Sequence, residues 1–284
     1  MFKILKRDVL AENVIRIKID APYIAKKAMA GQFVIVIPNE NSERIPLTVA
    51  DYDRSLGTLT LIFQVVGRTT EELAALDEGD SVYSVAGPLG RASEFEGMKK
   101  VAVVGGGLGC AIAYPQAKAL HEAGVCVDMI AGFRNSSLVI LEKEMRAVSK
   151  NLIMMTDDGS YGEKGLVTDA LRKMIDGGAG YDAVIAIGPP VMMKFVSLLT
   201  KQYGIKTIVS MNPIMIDGTG MCGGCRLTVD GKTKFACVDG PDFDGHSVDF
   251  DELIRRNNMY KEQEKQSMSL REHFCRLYKL SDGN

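Results

Sequence analysis

Hydrophobic and polar positions change their rhythm twice along this chain. Up to about residue 97 the apolar residues come in short runs, several with period-two alternation, as in Val14-Ile15-Arg16-Ile17-Lys18-Ile19. That pattern belongs to strands with one face buried and one face wet. Segments 2–9, 14–19, 32–37, 47–52, 58–66 and 81–85 read as six such strands, whose spacing predicts a small antiparallel barrel over 1–97. Beyond Lys100 the runs become continuous: 101–104 is a short strand, 105–109 a tight glycine turn, 110–123 a helix and 125–130 the next strand. Continuous apolar strands are those covered on both faces by crossover helices. The alternation continues through 152–155, 166–174, 183–187, a helix near 191–203, and 207–211, which predicts a doubly wound parallel-sheet domain over 98–211.

From Asn212 regular periodicity gives way to glycine and cysteine. A hairpin is expected at 226–229 and 234–237, turned at Asp230-Gly231, followed by a charged, helix-compatible stretch at 251–280 that sustains no heptad. That stretch either packs back on its own protein or docks on a partner chain. Residues 212–284 thus form a small third domain, and the fold class is α/β plus β.

Composition narrows the functional classes. At 284 residues and 46% hydrophobic, the chain has apolar surface for more than one core. Lys and Arg number 34 against 36 Asp and Glu, and a net charge of −2 offers no long-range attraction to nucleic acid or an anionic membrane. The longest uncharged run, 101–117, is broken by glycines and Pro115, and the N-terminus shows no leader pattern, so no membrane insertion and a cytoplasmic location are expected. Six cysteines, three of them clustered, point to reduced thiols and metal rather than a disulfide framework.

The sharpest chemical pattern is Asp217-Gly-Thr-Gly-Met-Cys222-Gly-Gly-Cys225, completed by Cys237. Its spacing is that of a plant-type [2Fe-2S] loop, C-x4-C-x2-C…C, with aspartate where the first cysteine would stand. Three other readings remain open on the residues alone. Cys222, Cys225 and Cys237 with His246 make a Cys3His zinc set, Cys222 and Cys225 a redox dithiol, and Asp217-Gly218 an ordinary turn.

Further candidates accompany it. Gly105-Gly106-Gly107-Leu108-Gly109-Cys110 follows a strand and opens a helix, where backbone N–H groups can meet a pyrophosphate, although Cys110 occupies the last glycine position of G-x-G-x-x-G. Arg134, after the second strand, offers a guanidinium to an adenosine phosphate or ribose. Asp157, after the third, offers a carboxylate to ribose hydroxyls. Arg44-Ile45-Pro46-Leu47-Thr48 and Val65-Val66-Gly67-Arg68-Thr69-Thr70 are candidate flavin contacts: Arg44 for a pyrophosphate, Thr48 for the isoalloxazine edge, Thr69 and Thr70 as N-cap and phosphate ligands before a helix at 71–76. The same residues also suit a plain strand entry and helix start.

In this order the motifs resemble the ferredoxin reductase-type electron-transfer subunits over nearly the whole chain. Within them, the chain is similar to the small subunits of NADH-dependent reduced ferredoxin:NADP oxidoreductases, also described as sulfide dehydrogenase small subunits. The resemblance implies FAD held through Arg44, Pro46, Leu47, Thr48, Val65, Gly67, Thr69 and Thr70. It implies NAD(H), with NADP(H) not excluded, against Gly105, Gly107 and Asp157, and a [2Fe-2S] cluster on Asp217, Cys222, Cys225 and Cys237. It also implies a larger flavin and iron–sulfur partner subunit, with ferredoxin reached through the complex. The related electron-transfer subunit of dihydroorotate dehydrogenase has the same domain order but four cysteine ligands, so Asp217 favours the transhydrogenase type. Cys110 falls where the family allows a small residue.

The implied activity is that of an NAD(P)H-dependent oxidoreductase subunit with no catalytic side chain: hydride exchange between NAD(H) and FAD, then single electrons through the cluster. The alternatives are the dihydroorotate dehydrogenase subunit and, from a different class, a non-enzymatic module binding zinc and a nucleotide.

Overall fold

The computed structural model describes residues 1–264 and 266. Its first sheet is antiparallel and contains β1 (Phe2–Ala11), β2 (Val14–Asp20), β3 (Phe33–Ile37), β4 (Ile45–Asp53), β5 (Thr58–Gln64), β6 (Ser81–Val82) and β7 (Ser84–Leu89), in the order β6-β1-β2-β5-β4-β3-β7. The two end strands, β6 and β7, are separated in the chain by Tyr83 alone, whose N–H bonds the Pro38 carbonyl at 3.0 Å, so the sheet curls back on itself as a half-barrel. The strand expected at 81–85 is therefore two strands, broken where the chain passes from one edge to the other. On β2 the alternation is realised: Ile15, Ile17 and Ile19 are buried in the barrel core with Val34, Leu59, Leu61 and Phe63, while Arg16 and Lys18 face outward. Each such buried side chain contributes about 1.5–3 kcal/mol. Helices α1 (Pro22–Ala25) and α2 (Arg68–Ala74) pack Ile24 and Leu73 into the same core.

The second sheet is built from β8 (Lys100–Gly106), α3 (Gly109–Glu122), β9 (Cys126–Phe133), α4 (Glu142–Ala147), β10 (Asn151–Thr156), β11 (Glu163–Lys164), α5 (Val167–Asp176), β12 (Ala183–Ile187), α6 (Pro190–Gln202) and β13 (Lys206–Ser210). Its six strands run parallel in the order β11-β10-β9-β8-β12-β13. Successive residues sort to opposite faces: Val101 and Val103 pack with α3 and α4, Ala102 and Val104 with α5 and α6. This is a doubly wound sheet. Helix α4 and strand β11 carry no periodic signal, since both are too short to display one.

The last part holds a hairpin of β14 (Arg226–Val229) and β15 (Lys232–Phe235), then α7 (Ala236–Asp239), β16 (Asp242–Asp244) and α8 (Phe250–Asn257). Asp230 and Gly231 both have positive φ, as a two-residue hairpin turn requires, and this pairs Val229 directly with Lys232. The second hairpin strand therefore begins two residues earlier than expected, and Cys237 lies on α7 instead of at a strand end. Strand β16 pairs antiparallel with β13, Ser210 opposite Asp242, so the third part is tied into the second sheet's edge. The expected helix at 251–280 is seen as α8, followed by a turn at 258–260; most of the remainder, with Cys275, lies outside the described residues.

The half-barrel meets the parallel sheet through an apolar seam of Val14, Ala50 and Ile62. Two ion pairs flank it, Arg16 to Glu144 at 3.1 Å and Lys118 to Asp51 at 2.8 Å. Partly exposed, each contributes at most about 1 kcal/mol. Among the described residues no helix is long and apolar enough to cross a membrane.

Candidate functional site

A cleft of about 980 Å³ opens at the carboxyl ends of the parallel strands, where an open α/β sheet binds its ligand. Gly106, Gly107 and Gly109 form one wall, Arg134 and Asp157 a second, and Gly188 and Pro189 a third; Val14 and Gln64 reach in from the half-barrel. The glycines have different tasks. Gly107 has φ +55 and nothing within 4 Å of an added Cβ, so it presents bare backbone to the cleft. Gly109 opens α3, and an added Cβ there would overlap the Ile187 carbonyl oxygen, so it lets the helix start press on β12. Gly105 does not line the cleft. It lies on β8, where a Cβ would come within 2.8 Å of Cys110 Sγ, and its role is close strand-to-helix packing. Burial pushes the Cys110 thiol up to about 12, which leaves it a packing residue.

Arg134 and Asp157, both exposed, stand on neighbouring loops linked by the Asp157 N–H to the Phe133 carbonyl at 3.1 Å and the Ser136 N–H to Ser160 Oγ at 2.8 Å. Sequence reasoning missed Thr168 and Arg172 on α5, and Gln202, Ser210 and Asn212, all of which line the cleft. The polar side of an amphipathic helix looks the same whether it faces water or a ligand, so α5 gave no signal.

In the half-barrel, β4 and β5 run antiparallel with Val49 opposite Leu61, which brings 44–48 and 65–70 to one end of the pair. Pro46, Leu47, Thr48, Val65, Gly67 and Thr70 are all half-buried there. The helix expected at 71–76 starts earlier, at Arg68, with Gly67 as N-cap. Thr69 is consequently buried in the first turn, and Thr70 Oγ1 accepts the N–H groups of Val66 and Gly67, both at 3.0 Å, while donating to the Gly67 carbonyl. The threonines brace the turn, and its backbone N–H groups are what α2 offers to a phosphate. Arg44 leaves the barrel: its guanidinium donates to the carbonyls of Ile216 at 3.2 Å and Asp217 at 3.3 Å.

The segment that receives Arg44 is the cysteine loop. Its first half turns on Gly218, Gly220 and Gly223, all with positive φ. The Asp217 carboxylate accepts the N–H of Thr219 at 2.8 Å and of Cys222 at 2.9 Å, and these donors hold it below the usual carboxylate range. Cys225 and Cys237 are buried with their sulfurs 3.2 Å apart, whereas Cys222 is exposed. Burial and the adjacent Cys225 thiol push Cys237 up to about 12, so metal binding there must displace protons. Asp217 and Cys222 form one pair and Cys225 and Cys237 another, and among the described residues no three such donors converge on a single ion.

Two rival readings of the loop lose their geometry. His246, the fourth ligand of the zinc set, has its Nε2 3.1 Å from Thr200 Oγ1 on α6. Cys222 and Cys225 precede β14 and open no helix, unlike a redox dithiol. The donor set of three thiols and one carboxylate, on glycine turns with Cys225 and Cys237 buried, Asp217 half-buried and Cys222 exposed, fits a two-iron cluster, which these four residues would hold.

Residues 212–249 match the iron–sulfur cluster binding domain of dihydroorotate dehydrogenase B. The chain is 48% identical over 263 residues to the dihydroorotate dehydrogenase B (NAD(+)), electron transfer subunit homolog of Thermotoga maritima, covering 93% of each. A chain in the solved structure of the NADH-dependent reduced ferredoxin-NADP oxidoreductase, described for flavin-based electron bifurcation, is 46% identical, with a TM-score of 0.90 over 95% of this chain and 97% of that one. The ferredoxin reductase in carbazole 1,9a-dioxygenase shares the fold alone, at 17% identity and a TM-score of 0.60 over 72% of this chain and 65% of that one.

Proposed function

This chain belongs to the family of dihydroorotate dehydrogenase B electron transfer subunits, and on that premise we propose that it is the electron-transfer subunit of a bifurcating NADH-dependent ferredoxin-NADP oxidoreductase. The domain division assigns FAD to 1–97, NAD(H) to 98–211 and a [2Fe-2S] cluster to 212–284. When bound, these groups supply hydride exchange and one-electron carriage. The protein supplies binding, alignment and electrostatics.

On the parallel sheet, Gly107 and the first N–H groups of α3 receive the dinucleotide's pyrophosphate, Arg134 its adenosine phosphate and Asp157 its ribose hydroxyls. Gly105 contributes by letting α3 approach. On the half-barrel, Pro46, Leu47 and Val65 flank the flavin ring and Thr48 bonds its edge. Beyond Gly67, whose own N–H is taken by Thr70 Oγ1, the first backbone N–H groups of α2, with Thr69 buried in its first turn, take the flavin's phosphates. Asp217, Cys222, Cys225 and Cys237 hold the cluster. The partner is a larger flavin and iron–sulfur subunit, and ferredoxin is reached through the complex.

The observation that carries this reading is the Arg44 bridge. One side chain just before the strand assigned to the flavin grips the two carbonyls that open the cluster loop, so the hydride-accepting and electron-exporting parts adjoin. The test is an ultraviolet–visible spectrum of anaerobically purified protein before and after NADH, with iron and acid-labile sulfide assayed on the same sample. Flavin bands over broad iron–sulfur absorbance, both bleached by NADH, are expected. A colourless, sulfide-free protein after attempted reconstitution would overturn the reading.

A further inference from the structure

Asp242 opens β16, and although the residue keeps some exposure its carboxyl group is enclosed by side chains from separate parts of the chain. Ser93, on the link between the two sheets, donates its hydroxyl to Oδ2. Gln116, wholly buried on α3, donates Nε2 to Oδ2 at 3.1 Å and Oδ1 at 3.3 Å. Ser210, at the end of β13 and in the wall of the cleft, bonds the same carboxyl through its side chain. A Cβ added at Gly31 would lie 3.3 Å from Oδ2, so half-barrel backbone closes on the group from the remaining side. The Arg91 N–H to the Gly240 carbonyl at 2.7 Å and the Ser93 N–H to the Ala30 carbonyl at 3.0 Å fix the same junction.

All the side-chain partners are neutral, and among the described residues no ion pair includes Asp242. Burial raises its carboxyl above the usual range, and the three donors offset only part of that. Gln116 Oε1 has no partner, so its amide serves the carboxyl while its own acceptor goes unmet. A carboxylate accepts at both oxygens, whereas an amide at this position would turn its own NH2 group toward one of these donors, so the closed set carries the desolvation of a charge. The cost falls at a point where half-barrel, parallel sheet and cluster segment meet, with Ser210 in the wall of the cleft.

We propose that Asp242 is a positioning residue for hydride transfer, locking the Ser93 link, α3 and the Ser210 wall of the cleft into one mutual orientation. It acts through these partners and touches no reacting atom. A nicotinamide in the cleft then meets a half-barrel flavin at fixed separation, and hydride transfer is far more sensitive to slack in that separation than binding is. The inference rests on the reading given under Proposed function.

The test compares wild type, Asp242→Asn and Ser93→Ala, each purified with its cofactors. Flavin bleaching is followed by stopped flow across NADH concentrations, and hydrogen exchange is followed on the cofactor-free proteins. For Asp242→Asn the limiting rate is expected to fall at least about tenfold while the NADH dissociation constant stays within about threefold. Exchange should rise together at 90–93 and 208–212, and Ser93→Ala should move every readout the same way by less. A limiting rate unchanged in a flavin-retaining Asp242→Asn protein, or a fall matched by weaker NADH binding, overturns the proposal. If Asp242→Asn does not fold, an unchanged rate in Ser93→Ala overturns it. Failure of wild type to bleach with NADH sinks the underlying reading instead, which separates the two failures.

Discussion

At the β8–α3 turn, a methyl group on Gly109 would run into backbone, overlapping the Ile187 carbonyl oxygen and reaching within 2.6 Å of Gly188 Cα. In the cysteine loop the neighbours of added Cβ atoms are side-chain ends, Leu89 Cδ1 for Gly218 at 2.8 Å and Val238 for Gly220 at 3.2 Å, and around Gly223 nothing comes closer than 3.7 Å. The nucleotide turn is shaped by the sheet it grows from and is ready before any ligand arrives. Between Asp217 and Gly224 the cysteine loop is held instead by hydrogen bonds, to the Asp217 carboxylate and from Arg44, Arg226 and Arg256 to its carbonyls, and what it binds adds to that rigidity. A chain can thus place one site by packing and another by hydrogen bonds and ligation.

The contrast can be broken most decisively at Cys237. Cys237→Ala is expected to abolish iron and labile sulfide while FAD, on the other side of the Arg44 bridge, stays bound. Loss of flavin with the iron, in the same assay, would show the two sites to be one cooperative unit. Next in size is Gly109→Ala, expected to lower unfolding free energy by about 3 kcal/mol because backbone must move to admit the methyl group. Gly107→Ala, where only positive φ is at stake, should cost about 1 kcal/mol. Denaturant midpoints that ranked these two the other way would refute the division of labour between them.

A smaller effect is expected at Asp217, where Asp217→Cys should keep the cluster but shift its midpoint potential by about 30 mV, or roughly 0.7 kcal/mol for one electron. Redox titration with the pH slope checks it, and an unchanged potential and slope would remove Asp217 from the ligand set. The smallest concerns pH. The raised Asp242 carboxyl binds its proton more tightly in the folded chain than in the unfolded one, so its contribution to stability is complete below the ordinary value of 3.8 and is lost as pH rises through the shifted one. Over that window wild type should lose stability relative to Asp242→Asn, by less than about 1.4 kcal/mol per pH unit. Parallel curves would show that the carboxyl is not perturbed.

Much of the architecture was legible because its signals are local. Ile15, Ile17 and Ile19 announce a half-buried strand by period alone, and a glycine turn between a continuous apolar strand and a helix announces the sheet's ligand-facing end. The spacing of Asp217, Cys222, Cys225 and Cys237 survives translation into sequence because the chain there wraps one compact group. What stayed hidden depends on partners distant in the chain. Asp242-Phe243-Asp244 has no strand pattern and becomes β16 only because β13 offers an open edge. Arg172 and Thr168 read as ordinary helix surface until α5 is seen lining the cleft, and Arg44 reads as a phosphate ligand until its hydrogen bonds to the far loop are visible. Thr69 was misplaced for a smaller reason: Gly67 can cap a helix with no side-chain signature, so the helix start slid unseen.

Strand β16 also sets an order on synthesis. Until residues 242–244 have left the ribosome, β13 carries an unpaired edge, although the other parallel strands and their helices can already assemble. At typical elongation rates the wait for the intervening segment is on the order of several seconds. During that wait the nascent chain exposes a docking rail for any extended peptide, and its closure falls to the same segment that carries the cysteine loop. A chain ending at residue 211 should therefore scatter light as it self-associates, while one extended through α8 should not. The last folded part serves as the parallel sheet's guard against aggregation.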